Sequence, residues 1–221
     1  MNDRDIHAGA PRVGVNVVLL GDSIFANAAY TRGAPDVVTH LGRLLPGRGT
    51  ATLCAVDGAT TAGIRTQLSR MPRTATELVM SIGGNDALQQ SDVLSLPVSS
   101  TAAALDEFDS RLALFDRSYR AALDLVLDVQ LPTTVCTIYN GALEPPQDRR
   151  ARVALTLFND VILRAAFDRR LRVIDLRAVC TERADYANPI EPSDQGGRKI
   201  AAAIARAIGV MPAPRASCVW M

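Results

Sequence analysis

The chain has 221 residues, of which 48 % are apolar, and a formal net charge of +1. That is enough for one large α/β domain or two small ones with a sizeable buried core. A near-neutral balance, with acids and bases mixed along the chain, argues against a nucleic-acid or membrane-surface function resting on bulk charge.

Residues 1–11 form a polar arm of mixed charge, without the basic and apolar regions of a secretory signal. "RVGVNVVLLG" (12–21) is a near-continuous valine-rich run, the pattern of a strand buried on both faces. A helix is expected over "APDVVTHLGRLLP" (34–46), stopping at Pro46, and then a strand over "TATLCAVDG" (50–58). "TTAGIRTQLSRM" (60–71) places Ile64, Leu68 and Met71 at helical spacing, and "ELVMSIGG" (77–84) reads as the third strand. The stretch 89–100 is irregular. A long helix is predicted from Ser100 to about Gln130, with Leu105, Phe108, Leu112, Phe115, Tyr119, Leu123 and Val126 on one stripe.

"TTVCTIYN" (133–140) is the fourth strand. The helix over 149–170 has Val153, Leu157, Val161 and Ala165 in phase. A fifth strand, "LRVIDLRAV" (171–179), and a last helix over 196–209, with Gly209 near its end, complete the order. The arginine clusters at 149–152 and 169–172 read as solvated helix faces. Strands alternating with helices predict an α/β fold with a parallel sheet covered by helices, in a single domain over 12–210 followed by a tail over 211–221.

No apolar run approaches the roughly 18 residues that cross a bilayer, so no membrane partner and a cytoplasmic location are expected. The terminal "CVWM" has the outline of a prenylation box, but Trp220 is not aliphatic and only Arg215 precedes it nearby; a frayed tail is expected. Cys54, Cys136, Cys180 and Cys218 show no metal-ligand spacing and the chain has only two histidines, so no metal or other cofactor is expected.

In parallel α/β sheets ligands bind beyond the carboxyl ends of the strands. Three such ends carry informative residues: Gly21-Asp22-Ser23, Asp57-Gly58 and Gly83-Gly84-Asn85-Asp86. Each alone is compatible with a capped or glycine-bearing turn. Together they supply one candidate nucleophile, Ser23, and three candidate oxyanion donors, the Ser23 and Gly58 N–H groups and the Asn85 amide.

With "GDS" at 21–23, Gly58 at the next strand end and "GGND" at 83–86, the chain resembles the SGNH, or GDSL-type, esterase and lipase family from about residue 13 to 209. The resemblance implies a three-layer α/β/α sandwich with a five-stranded parallel sheet, the flavodoxin-like SGNH hydrolase fold. It also implies hydrolysis of a small-molecule carboxylic ester through an acyl-enzyme on Ser23, without a metal. The family's fourth block normally supplies a histidine base and an aspartate that orients it. Here "DYANPIEPSDQGG" (185–197) puts Glu191 in the histidine slot and Asn188 in the aspartate slot.

A carboxylate of ordinary pKa, about 4.3, is a poor base for a serine hydroxyl, but burial would raise it. Asn188 would then orient Glu191 by donating to its carboxylate. Asp185, His40 and His7 are the alternative bases. A site without chemistry that only binds its ligand, and an acyltransferase on the same scaffold, are the alternative functions. The segments 86–100 and 139–146 are expected to flank the pocket.

Overall fold

Val17, Val18, Leu19 and Leu20 are all 0 % exposed, because the strand they form, β1 (Asn16–Gly21), lies inside an all-parallel sheet covered on both faces. In this computed structural model, which describes residues 14–212, the sheet has five strands in the order β2-β1-β3-β4-β5. The others are β2 (Thr50–Leu53), β3 (Glu77–Ser81), β4 (Thr133–Cys136) and β5 (Arg172–Ile174). Among the described residues the helices are α1 (Val37–Leu44), α2 (Ile64–Leu68), α3 (Gly84–Gln89), α4 (Thr101–Leu127), α5 (Gln147–Asp168), α6 (Leu176–Val179) and α7 (Asp194–Ala207).

Alternate residues of a strand point to opposite faces. Val18 and Leu20 accordingly pack with Ile64 of α2, Phe115 and Leu123 of α4 and Phe158 and Ile162 of α5. Val17 and Leu19 pack with Val37 and Leu41 of α1, Leu176 of α6 and Ile200 and Ile204 of α7. The result is the three-layer α/β/α sandwich with a flavodoxin-like strand order.

Four of the strands stop earlier than their apolar runs predict, each for a local reason. After Leu53 the N–H groups of Cys54 and Ala55 both donate to Leu19 O, which breaks the regular ladder. Past Ser81 the chain turns through Gly83 into α3, a helix the sequence pattern does not announce. Beyond Cys136 both backbone groups of Ile138 are taken by the buried Asn159 amide, at 2.7 and 2.8 Å. Beyond Ile174, Asp175 caps α6 by accepting from Arg177 N, so the last part of "LRVIDLRAV" is helical.

Two helices also differ from expectation. The helix over 60–71 is confined to α2, with a 3-10 turn at Thr61–Gly63 before it. The buried face of α5 is carried by Ala154, Phe158, Val161, Ile162 and Ala165, and Val153 is 68 % exposed, so the stripe is rotated by one residue at its start. The irregular stretch 89–100 contains a 3-10 turn at Ser91–Ser95. No helix among the described residues is long and apolar enough to cross a membrane. His7, Cys218 and the "CVWM" terminus lie outside the described residues.

Candidate active site

The sheet order reverses at β1: the chain leaves it toward β2 on one side and returns to β3 on the other. Connections diverging from such a switch point open a crevice above the strand ends. The turn after β1 stands at its centre. Gly21 has φ +139°, and a Cβ there would lie 1.8 Å from Ser81 O, so only glycine lets the two strands approach this closely. The buried Gln67 amide holds Gly21 from the α2 side, accepting from its N–H and donating to its C=O, both at 2.7 Å. Phe25 N and Ala26 N donate back to Asp22 O, closing a single turn that presents Ser23.

The second and third blocks are stapled together. Asn85 Nδ2 donates to Ala59 O at 2.9 Å, and Asp86 accepts from Thr61 N at 3.1 Å and Thr61 Oγ1 at 2.7 Å. Gly58, just before Ala59, has φ +74°, which the turn requires. Among the described residues, no backbone carbonyl accepts from the Ser23 or Gly58 N–H. One N–H of the Asn85 amide remains beyond its bond to Ala59.

Glu191 sits on a loop clamped from several directions. Ala187 N donates to Glu191 O and Ser193 N to Asp185 O, at 2.8 and 2.9 Å. Tyr139 Oη donates to Ile190 O at 2.6 Å, and Asn27 Nδ2 to Pro192 O at 3.2 Å. Asn188 Oδ1 accepts from both Ile190 N and Glu191 N, each at 2.9 Å. The orienting bond expected from Asn188 to the carboxylate is therefore not what is found: its oxygen is turned to the backbone and shapes the turn that carries Glu191.

Glu191 and Ser23 share one cavity. Glu191 is 7 % and Ser23 8 % exposed, and both line one cavity with Asp22 and Asn85. Burial raises the Glu191 pKa above its ordinary value, the Ser23 hydroxyl pulls it partly back by hydrogen bonding, and the Asp57 carboxylate adds to the rise. Glu191 Oε2 is buried with no hydrogen-bond partner. Among the described residues, no lysine, arginine or histidine lines this cavity.

Two of the alternative bases, Asp185 and His40, are engaged elsewhere. Asp185 is wholly buried and held by Lys199 Nζ, Gln195 Nε2 and Glu182 N. His40 Nε2 meets Asp194 Oδ1 at 2.9 Å where α1 packs on α7, and His40 does not line the cavity. Among the described residues, no group of three or more His, Cys, Asp or Glu side chains is arranged to hold a metal ion.

Asp22 is the residue whose environment its sequence position hides. It is 1 % exposed; Oδ1 accepts from Ile24 N, and Oδ2 has no partner. Burial pushes its pKa up from 3.8 to about 7, with the Ile24 N–H opposing and the Glu191 and Asp86 charges reinforcing. A carboxyl with a raised folded-state pKa keeps its proton in the folded protein after the unfolded chain has released it. Its contribution to stability is therefore lost as pH rises from about 4 to about 7. Asp22→Asn is expected to leave the melting temperature unchanged near pH 4 and to raise it increasingly toward pH 8. Unfolding scans of both proteins across that range check this; a constant difference would mean Asp22 is not a buried neutral acid.

Comparison with known proteins follows the same lines. A family profile described as the GDSL-like Lipase/Acylhydrolase family matches residues 19–199. No curated protein matches the sequence. Among solved structures, an extracellular lipase from Streptomyces rimosus aligns with TM-score 0.63 at 18 % identity, covering 87 % of this chain and 99 % of that one. A lipase from a goat rumen metagenome gives 0.68 at 19 %, covering 87 % and 97 %. An acetylxylan esterase from Geobacillus stearothermophilus gives 0.61 at 18 %, covering 90 % and 97 %. Identities this low establish a shared fold and leave the chemistry to be argued from the site.

Proposed function

This chain belongs to the GDSL-like lipase/acylhydrolase family, and from that premise we propose that it is a carboxylic ester hydrolase in which Ser23 is the nucleophile and Glu191 its general base. The observation that carries the proposal is the buried Glu191 carboxylate lining one cavity with the buried Ser23, whose hydroxyl favours its charged form. Glu191 takes the hydroxyl proton as Ser23 Oγ attacks the acyl carbon. The oxyanion that forms is held by the Ser23 and Gly58 N–H groups and the Asn85 amide. Protonated Glu191 then gives its proton to the departing alcohol, leaving an acyl-enzyme. Water, deprotonated by Glu191, releases the acid and regenerates the serine.

The raised pKa is what suits a carboxylate to this work. A general base is most effective when its pKa lies near the operating pH, and an ordinary glutamate lies well below it. A desolvated carboxylate is also a stronger acceptor for the hydroxyl proton. Asn188, Tyr139 and Asn27 are positioning residues in this scheme: they fix the Glu191 loop through its backbone.

The donor role of Asn85 is tested by Asn85→Ala. Loss of one oxyanion donor lowers kcat by about 10²-fold, with KM little changed. Steady-state kinetics on a p-nitrophenyl ester measure it; an effect confined to KM would assign Asn85 to substrate binding. Labelling of wild-type protein by a fluorophosphonate, lost in Ser23→Ala, tests the nucleophile itself. Failure to label, with ester turnover unchanged in Ser23→Ala, would overturn the hydrolase mechanism in favour of a ligand-binding role.

A further inference from the structure

The cavity that holds Ser23 has a volume of about 150 Å³ in all, reactive end included, and most of its remaining lining is apolar. Its wall on α5 is one helical stripe, Ala151, Ala154, Leu155 and Phe158. The two alanines create the space, because larger side chains at those positions would project into it. The lining also includes the exposed Leu88 of α3 and Leu94 of the following 3-10 turn, the half-buried Val93, and Ile138, two residues past β4.

The polar groups are unevenly placed. Asp22, Ser23, Asn85 and Glu191 belong to the reactive end, and Gln90, Ser91 and Asn140 complete the lining. Gln90 Oε1 is already occupied by Arg111 Nη1 at 2.7 Å. Among the described residues the lining has no cationic side chain, and its ionisable groups are the carboxyls of Asp22 and Glu191 and the Tyr139 phenol.

We propose that this chamber receives the acyl chain of the ester, and that the enzyme selects straight, uncharged acyl groups of about six carbons over acetyl. The size follows from the volume: an apolar cavity of about 150 Å³ holds a six-carbon molecule such as benzene. The selection against charge follows from the lining: a carboxylate at the far end of the acyl chain meets no cation there and enters past two acidic side chains. The alcohol plays no part in this selectivity. The inference rests on acylation of Ser23, and Ala154 becomes a residue that sets acyl length.

The experiment is a p-nitrophenyl ester series from acetyl to dodecanoyl on the full chain, with the half-ester of adipic acid as the charged six-carbon case. Each buried methylene is expected to raise kcat/KM about four-fold, so hexanoate exceeds acetate by on the order of 10²-fold. Dodecanoate and the adipic half-ester fall well below hexanoate. Ala154→Phe, or the smaller plug Ala154→Leu, lowers kcat/KM for hexanoate far more than for acetate and so removes the preference for hexanoate. A rate highest at acetate, or an equal loss on all esters in both variants, overturns the acyl pocket while leaving the hydrolase standing.

If no ester is turned over, the hydrolase mechanism fails and the pocket is tested separately. Hexanamide, and not acetamide, is then expected to raise the melting temperature of wild type, with the effect lost in Ala154→Phe and Ala154→Leu. Equal or absent shifts overturn it.

Discussion

Ser23→Ala lowers kcat/KM for p-nitrophenyl hexanoate by on the order of 10³–10⁵-fold, with little change in thermal stability. The size reflects what Ser23 alone supplies. Ser23 is the proposed nucleophile and lines the same cavity as Glu191, so its removal would end the proposed acyl-enzyme route and leave only attack by water on a bound ester. Some acceleration persists, because the Gly58 and Asn85 donors and the acyl chamber remain. Stability changes little because an alanine fits the turn: its frame is the Gln67 clamp on Gly21 and the Asp22 carbonyl, none of which uses the serine oxygen. Steady-state kinetics with a melting scan measure both quantities, and full activity in Ser23→Ala would remove Ser23 from the chemistry.

Glu191→Gln is expected to cost about 10²–10⁴-fold in kcat, the usual contribution of a positioned general base. Glutamine keeps the shape and the backbone contacts of the loop, including Ala187 N to Glu191 O and Tyr139 to Ile190 O. A purely structural role for position 191 would therefore leave kcat intact. The variant also relieves a buried charge: Oε2 has no partner in the wild type, and the neutral amide is easier to bury. Glu191→Gln is thus expected to melt at or above the wild-type temperature while losing activity. Activity lost together with stability would point to a collapsed loop instead of a missing base.

Much of the layer architecture was legible from the sequence because it rests on apolar runs. "VVLL" and "LVMS" could only be buried strands, and the long stripe of α4 is regular where Phe115, Tyr119, Leu123 and Val126 meet the core. The strand ends were harder. They are set by single polar contacts, such as Asn159 on Ile138 and Asp175 on Arg177, which periodicity does not register. The rotated face of α5 has a similar origin: Ala151 and Ala154 line the chamber beside Ser23, so the helix turns small residues inward where a core-only pattern expects Val153.

In the site, the strand-end pattern singles out Ser23, Gly58 and Asn85; Ser23 and Asn85 line one cavity, and Gly58 is not in its lining. That Glu191 and Ser23 line one cavity depends on how the 167 intervening residues bring the two loops together, and the slot match alone names the residue without its placement. Asn188 shows the limit of that logic. Its slot suggested an orienter of the side chain, whereas an asparagine three residues before a turn end bonds readily to the backbone, as it does here. Asp22, Gln67, Asn27 and Tyr139 carry no sequence mark of their roles, since each acts through a partner between 46 and 169 residues away or through burial itself.

The central claim is that a buried glutamate activates Ser23, and the rate of Ser23 labelling by a fluorophosphonate, followed against pH, tests it without reference to any substrate. In the wild type the rate is expected to rise with pH through an ionisation above the ordinary glutamate range, since burial raises the Glu191 pKa and only the carboxylate accepts the proton. In Glu191→Gln the rate is expected to be lower by about 10²-fold or more and to lose that rise. An unchanged rate and pH profile in Glu191→Gln would contradict the account, because Ser23 would then be activated by something other than Glu191.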